Sequence, residues 1–152
     1  MGSSAKQGGL DPASRAAKLK IVSGNAMGAL EESIQKAIAY RAYEIYQTKG
    51  RSHGHDIQDW FEAEHELLKP ADVQITESAG VVSLRARVSG FQPGDVQIGV
   101  SPRRVVIWGE AGRAHMLGEI ELPRTVDSTK ASATLNDGVL DFRADTQTPR
   151  AR

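Results

Sequence analysis

Residues 135–142, LNDGVLDF, contain a tight turn followed directly by a strand-like run. The Asn-Asp-Gly sequence at 136–138 supplies residue types that accept a positive φ where a chain reverses. The apolar residues behind it belong to kinds that favour extended structure. The stretch alone predicts a β-hairpin, and most hairpins carry no further meaning. Its value therefore depends on the sequence around it.

The apolar residues recur with a period of two from residue 72 onward. In residues 82–88, for example, Val82 and Leu84 would lie on one face of a strand and two arginines on the other, as in a half-buried strand. Gly, Pro, Asn and Asp separate the alternating segments. This pattern predicts an antiparallel β-sandwich over residues 72–145. Its seven strands are expected at 73–76, 82–88, 96–100, 104–108, 118–122, 130–135 and 138–144.

Residues 29–69 have the apolar period of a helix. Lys49-Gly50 is a good helix stop, Asp56 suits the start of a second helix, and Pro70 ends it. A connection this short predicts an antiparallel helical hairpin. The expected fold class is therefore α+β, with a two-helix hairpin followed by an antiparallel, immunoglobulin-like β-sandwich.

Four aromatic side chains of the hairpin are expected to pack across it, Tyr43 and Tyr46 against Trp60 and Phe61. A set of three tyrosines and two arginines also fits a stacking platform for nucleic acid, namely Tyr40, Tyr43, Tyr46, Arg41 and Arg51. The charge balance disfavours that alternative, because Lys plus Arg and Asp plus Glu number 19 each, whereas nucleic-acid-binding domains are commonly basic. The same balance argues against binding to an anionic membrane. We expect neither nucleic acid nor a membrane as a partner.

The two ends of the chain are interpreted as flexible. Residues 1–28, rich in Gly, Ser, Ala and Lys, predict a flexible arm, and residues 146–152 predict a short flexible tail. No apolar run approaches the roughly 20 residues of a membrane span, and no secretory signal is recognisable. The chain has no cysteine, which excludes disulfides and thiol catalysis and suits a reducing compartment. We expect a cytoplasmic protein.

No arrangement of residues in the sequence indicates catalysis. His53, His55 and His65 are candidate metal ligands by residue type, but they have no metal-site spacing, and histidines in a Gly-rich loop are usually solvated. No nucleophile elbow or phosphate-binding loop is present in the sequence. We expect a protein that is not an enzyme, with no catalytic residue, no metal and no cofactor.

Four sequence blocks in residues 72–145 occur in the order found in one known family. Near the last hairpin, Ala133 precedes Gly138-Val139-Leu140 in the pattern A-x-x-x-x-G-V-L. The region resembles the α-crystallin domain of small heat-shock proteins. The resemblance implies an immunoglobulin-like sandwich in which these hallmark residues have a structural role. The other three blocks are ARVSGFQPGDVQIGV at 86–100, IWGE at 107–110, and Leu122-Pro123 followed by Val126-Asp127.

The resemblance also implies a function. Small heat-shock proteins act without ATP and hold misfolded or partly unfolded proteins on apolar strand surface. In the family, a client groove lies between two strands at one edge of the sandwich. By position, the groove here would be lined by Val96, Ile98 and Val100 from one strand and by Ala131 and Ala133 from another. The alternative is that these five are ordinary core residues.

Two features depart from the family pattern. About seven residues separate Glu110 from Gly118, too few for the long loop that exchanges a strand in bacterial dimers. Residues 146–152 also lack the I-x-I motif that docks in a neighbour's groove. We therefore expect a monomer, or self-association as a dimer through another edge. The departures keep open a second function, a non-enzymatic adaptor that docks one specific folded partner.

Residues 39–70 resemble a short bacterial domain of unknown function. That resemblance supports a helical hairpin and implies no activity. The residues that carry it are Ala42-Tyr43-Glu44-Ile45-Tyr46, Gly50-Arg51, Gly54, Asp56, Trp60, Ala63-Glu64 and Glu66-Leu67.

Overall fold

The computed structural model of the chain describes residues 17–50 and 56–147. Within these residues the chain forms two helices and nine strands. In chain order they are β1 (Ala17–Lys18), β2 (Lys20–Ser23), α1 (Ala26–Thr48), α2 (Asp56–His65), β3 (Ala71–Ser78), β4 (Val81–Arg87), β5 (Val96–Ser101), β6 (Arg104–Ala111), β7 (Ala114–Glu121), β8 (Val126–Asn136) and β9 (Val139–Thr146).

The strands form two sheets that pack face to face. One sheet has five strands in the order β1-β8-β9-β4-β3, and the other has four in the order β2-β5-β6-β7. All described strand pairs are antiparallel except β2 with β5, which is parallel. The predicted α+β fold, with a helical hairpin followed by an antiparallel sandwich, is confirmed. Each of the seven predicted strands corresponds to one of β3 to β9.

The core between the sheets follows the alternation of the sequence. On β4, Val82, Leu84 and Ala86 are at most 1% exposed, whereas the two arginines between and after them point to solvent. Leu140, Phe142 and Ala144 of β9, the neighbouring strand, extend this buried face, and residues of β5 and β6 in the other sheet fill the opposite side of the same cluster. Each fully buried side chain of this size contributes about 1.5–3 kcal/mol, which makes this cluster the main source of the sandwich's stability.

The turn inside residues 135–142 joins β8 to β9. Asp137 and Gly138 have φ values of 53° and 79°, both in the left-handed region that a two-residue hairpin loop of the favoured kind requires. Gly138 accepts a 2.7 Å hydrogen bond through its carbonyl oxygen from the Val88 N–H. Ala133 and Leu140, on either side of the turn, lie in the core. The turn therefore closes the hairpin and also fixes the end of β4.

The helices cover the outer face of the four-stranded sheet. The buried stripe of α1 packs, together with Ala63 of α2, on Val106 and Trp108 of β6. This second cluster is separate from the core between the sheets, and it anchors the hairpin to the sandwich. The buried residues of α1 are Met27, Leu30, Ile34, Ile38 and Ile45.

The predicted flexible arm is wrong for residues 17–28. Residues 17–18 and 20–23 are strands, and α1 begins at Ala26 rather than near residue 29. The order comes from pairing with distant strands, since the segment lies against β8 and β5. Residues 1–16 of the predicted arm, and residues 148–152 of the predicted tail, lie outside the described residues.

The predicted aromatic packing across the hairpin is wrong for two of its four residues. Tyr43 is 53% exposed and Phe61 is 60% exposed. Instead, α2 turns Asp59 and Ala63, each 2% exposed, towards the buried side, where small Ala63 permits close approach of the helices. Trp60 is partly buried against the second cluster.

No described helix is both long and apolar enough to cross a membrane.

Candidate strand-binding seam

Strands β5 and β8 belong to different sheets and contact each other at one edge of the sandwich. We call the gap between their free edges the seam. The chain itself closes it: residues 17–23, the seam segment, run along both strands. β1 pairs with β8 through Ala17 opposite Leu135 and Lys18 opposite Thr134. β2 pairs in parallel with residues 97–100 of β5. One extended segment therefore adds a strand to each sheet.

Leu19 is the residue at which the segment passes from one sheet to the other. Its N–H donates a 2.9 Å hydrogen bond to the carbonyl oxygen of Ala133. Its side chain is 7% exposed and belongs to the core cluster, and Ile21 packs partly buried against the same cluster. Lys18 and Lys20 point outward and are exposed. The seam thus accommodates apolar side chains at alternate positions of an extended chain.

The structure brings the five predicted groove residues together beneath the seam segment. Val96, Ile98, Val100 and Ala133 are at most 3% exposed and lie in the core cluster, and Ala131 is partly buried against it. Ile98 is the register partner of Ile21. With the segment in place these side chains pack as core. Their role as a client groove stays a prediction.

Sequence reasoning missed the role of Leu19 and Ile21. The signal was present, because KLKI at 18–21 alternates charged and apolar residues as an edge strand does. The segment is short and surrounded by polar residues, and the polar composition of residues 1–28 as a whole predicts a flexible arm rather than a strand.

The surface next to the seam is polar. A shallow depression of about 260 Å³ runs along it, lined in part by Lys18, Lys20 and Asp95. Gly94 and Asp95 lie in a single 3₁₀ turn, Pro93–Asp95, which leads into β5. Charged side chains therefore border the apolar path of the segment without entering it.

Two groups of charge pairs lie on the helical hairpin, away from the seam. Arg41 Nε lies 2.7 Å from Glu66 Oε1, and this hydrogen bond lowers the pKa of the Glu66 carboxyl. Lys49 Nζ lies 3.1 Å from Asp59 and 3.0 Å from Glu62, and these bonds, that with Glu62 first, raise the pKa of the Lys49 amine. These pairs tie α1 to α2 and suggest no chemistry.

Within residues 17–50 and 56–147, no three His, Cys, Asp or Glu side chains gather as a metal-ligand set. Of the candidate ligands, His53 and His55 lie outside those ranges. His65 is the last residue of α2 and is exposed.

Comparison with protein families gives one match, on the helices. Residues 33–69 match the family described as Protein of unknown function (DUF2934). This range covers most of α1, all of α2 and the chain that leads to Pro70, and it agrees with the helical domain expected from the sequence. No curated protein is similar to the chain at a significant level.

The solved structures that are similar to the chain include small heat-shock proteins. The Del-C4 mutant of hsp14.1 from Sulfolobus solfatataricus P2 is similar over 57% of this chain and 82% of that one, with 20% identity and a TM-score of 0.48. A small heat-shock protein from Xylella fastidiosa is similar over 55% and 93%, with 22% identity and a TM-score of 0.44. The rat alpha crystallin domain is similar over 53% and 95%, with 22% identity and a TM-score of 0.36.

Proposed function

We propose that the protein is an ATP-independent, chaperone-like protein of the small heat-shock type, and that it holds partly unfolded proteins at the seam. The observation that carries the proposal is that the seam already holds an extended segment, residues 17–23, through strand pairing on both sheets. Exposed apolar segments of an unfolded chain offer the same two features, free backbone groups and alternating apolar side chains. In this proposal the seam segment occupies the position that a bound client would take.

Binding of a client requires the seam segment to leave, because both occupy the same strand edges. Leu19 contributes the largest buried side chain of the segment, at 7% exposure. β1 has only two residues and β2 only four, so few strand hydrogen bonds hold the segment. A client with a longer apolar strand can replace these contacts without any covalent step. In this proposal the protein needs no cofactor and acts in the bacterial cytoplasm, where stress unfolds other proteins.

Light scattering of a heat-labile client protein tests the proposal. The full chain is compared with Leu19→Asp, which places a charge in the core and drives the segment out of the seam. We expect the wild-type chain to slow aggregation and Leu19→Asp to slow it at lower ratios to client. Val73→Asp is the matched control, since Val73 is 41% exposed on β3 and far from the segment in the strand order.

A synthetic peptide with the sequence of residues 17–23 provides the second arm of the test. If clients bind at the seam, excess peptide abolishes the protection given by Leu19→Asp, whereas a peptide of scrambled sequence leaves it intact. We call the holding of partly unfolded proteins without ATP the holdase function. If neither the wild-type chain nor Leu19→Asp protects an equimolar amount of client, the holdase function is rejected.

A second candidate function is the adaptor that docks one folded partner. The specific observation in its favour is on α2, where Ile57 and Phe61 are four residues apart on one face and are 72% and 60% exposed. An apolar pair on the outside of a helix is a usual feature of a docking surface. If the adaptor function holds, Ile57→Asp abolishes partner binding, and Leu19→Asp leaves it unchanged.

A further inference from the structure

The seam segment is joined to α1 by a very short connection. β2 ends at Ser23 and α1 begins at Ala26. Gly24 has a φ of 60°, and its carbonyl oxygen accepts a 3.0 Å hydrogen bond from the N–H of Met27. Because consecutive Cα atoms lie about 3.8 Å apart, two linking residues leave no slack. The segment therefore cannot leave the seam without moving the first turn of α1.

The first turns of α1 rest directly on β5. Gly99 is the register partner of Val22, and a Cβ built on it would lie 2.6 Å from Met27 Sδ and 2.7 Å from Leu30 Cδ2. Ile98 and Val100, on either side, face the core between the sheets, so Gly99 faces α1. A side chain at this position would force Met27 and Leu30 to shift. The first helix therefore contacts β5 at Gly99, the same residue at which β5 pairs with Val22 of the seam segment.

The contact between the start of α1 and β5 is stabilised by buried apolar side chains. Met27 is 8% exposed and Leu30 is 3% exposed, and both belong to the second cluster, against which Val22 of the seam segment is also packed. Glu31 of α1 lies 3.0 Å from Arg104 of β6. Both of those side chains are largely exposed, so this pair adds little. The apolar contact of Met27 and Leu30 with β5 is therefore the main link between the helix and the seam.

We propose that the first two turns of α1 keep the seam closed, so that loosening them from β5 releases the seam segment. This regulation rests on the proposed function of the seam. It gives the helical domain a role, since α1 continues from these turns into the region that matches the family of unknown function. Any change that lifts the start of α1 opens the seam without touching a residue that lines it.

Hydrogen exchange on the full chain tests the coupling. Leu30→Ala removes the contact with β5. Ile38→Ala is the matched control, because Ile38 is also 3% exposed, in the same helix and cluster, but two turns further from β5. We expect Leu30→Ala to speed exchange of the Leu19 amide roughly tenfold or more, and Ile38→Ala to change it by less than about threefold. Equal acceleration by both variants, or by neither, would overturn the proposal.

A second variant covers the case in which Leu30→Ala fails to fold. Gly99→Ala deletes no core side chain, and it forces Met27 and Leu30 away from β5. The expected result is again faster exchange of the Leu19 amide, with the amides of β9 as protected as in the wild type. Unchanged exchange at Leu19 in this variant would also overturn the coupling.

Light scattering then separates this proposal from the proposed function. If Leu30→Ala opens the seam by exchange but gives no protection to a client, the coupling stands and the holdase function fails. If Leu19→Asp protects a client while Leu30→Ala and Gly99→Ala leave the Leu19 amide unchanged, the holdase function stands and the coupling fails.

Discussion

Gly138 shows at the scale of one residue how the hairpin of residues 135–142 depends on backbone conformation. Its φ is 79°, and a Cβ added there would meet no atom within 4 Å. Any cost of Gly138→Ala therefore comes from the left-handed backbone, about 1–2 kcal/mol, and not from crowding. Gly94→Ala is the matched control, because Gly94 also has open space and its φ is not positive.

We predict that Gly138→Ala lowers the free energy of unfolding by this amount, whereas Gly94→Ala changes it by less than about 0.5 kcal/mol. Urea unfolding followed by tryptophan fluorescence measures both. Equal effects of the two substitutions would mean that the positive φ is not what the turn requires.

Tyr43 and Phe61 show where residue-level prediction failed. Both have the spacing and size of core residues, yet they are exposed. Sequence periodicity marks an apolar stripe, but it does not say which of several apolar residues near the stripe faces the neighbouring element. The direction of α2 across α1 decides that, and it is set by the packing of Ala63 and Trp60 on the sandwich.

At the scale of elements, the hairpin is expected to respond to acid. The pKa of Glu66 is lowered from 4.5 by its hydrogen bond to Arg41. A carboxyl with a lowered pKa in the folded state contributes stability above its unfolded pKa and loses it as the pH falls through the folded one. Both partners are more than 40% exposed, so the contribution is small.

We predict that Glu66→Gln is slightly less stable than the wild type at neutral pH, and that this difference vanishes well below pH 4.5. Unfolding by urea at several pH values measures it. Glu32→Gln, on an exposed position of α1, serves as the control and should show no such difference. A difference for Glu66→Gln that persists or grows in acid would contradict the assigned role of the pair.

The elements themselves were predictable to different degrees. Strands β3 to β9 have at least six residues each, and most of them alternate apolar and polar residues, although β6 is apolar over most of its length. The first helix ends two residues before Gly50, as its sequence predicts, whereas α2 ends at His65, five residues before the predicted stop at Pro70. β1 and β2 are different. They have two and four residues, and they exist because β8 and β5, more than 70 residues away, offer free edges. No local pattern reports such a distant partner.

At the scale of the whole molecule, the filled seam affects assembly. The seam segment occupies the edges of β5 and β8, and β6 and β7 are joined by two residues, Gly112 and Arg113. Neither feature leaves a strand to exchange with a neighbour. We predict a mass of 16.4 kDa, or twice that, by size-exclusion chromatography with multi-angle scattering. A species of many subunits would contradict the prediction that the seam is closed within one chain.

The candidate site was predictable only in part, because its cover depends on how distant parts of the whole chain come together. The five groove residues were placed by their resemblance to a family, and the structure brings them together at one edge. What the sequence could not indicate is that the same chain covers them. That fact depends on the path of residues 17–23 between two sheets, which only the assembled sandwich defines.

Closing the seam covalently tests the central claim most directly. Lys20 and Gln97 are register partners in adjacent strands, about 4.8 Å apart, a separation that a disulfide can span. The chain has no cysteine of its own, so Lys20→Cys with Gln97→Cys creates one defined bond. Each single substitution, oxidised in the same way, is the control.

The measurement is light scattering of a heat-labile client with the double variant, oxidised and then reduced. The account predicts that the oxidised protein gives no protection, because the segment cannot leave, and that reduction restores the protection given by the single variants. Equal protection by the oxidised and reduced forms would contradict it, since clients would then bind elsewhere than at the seam.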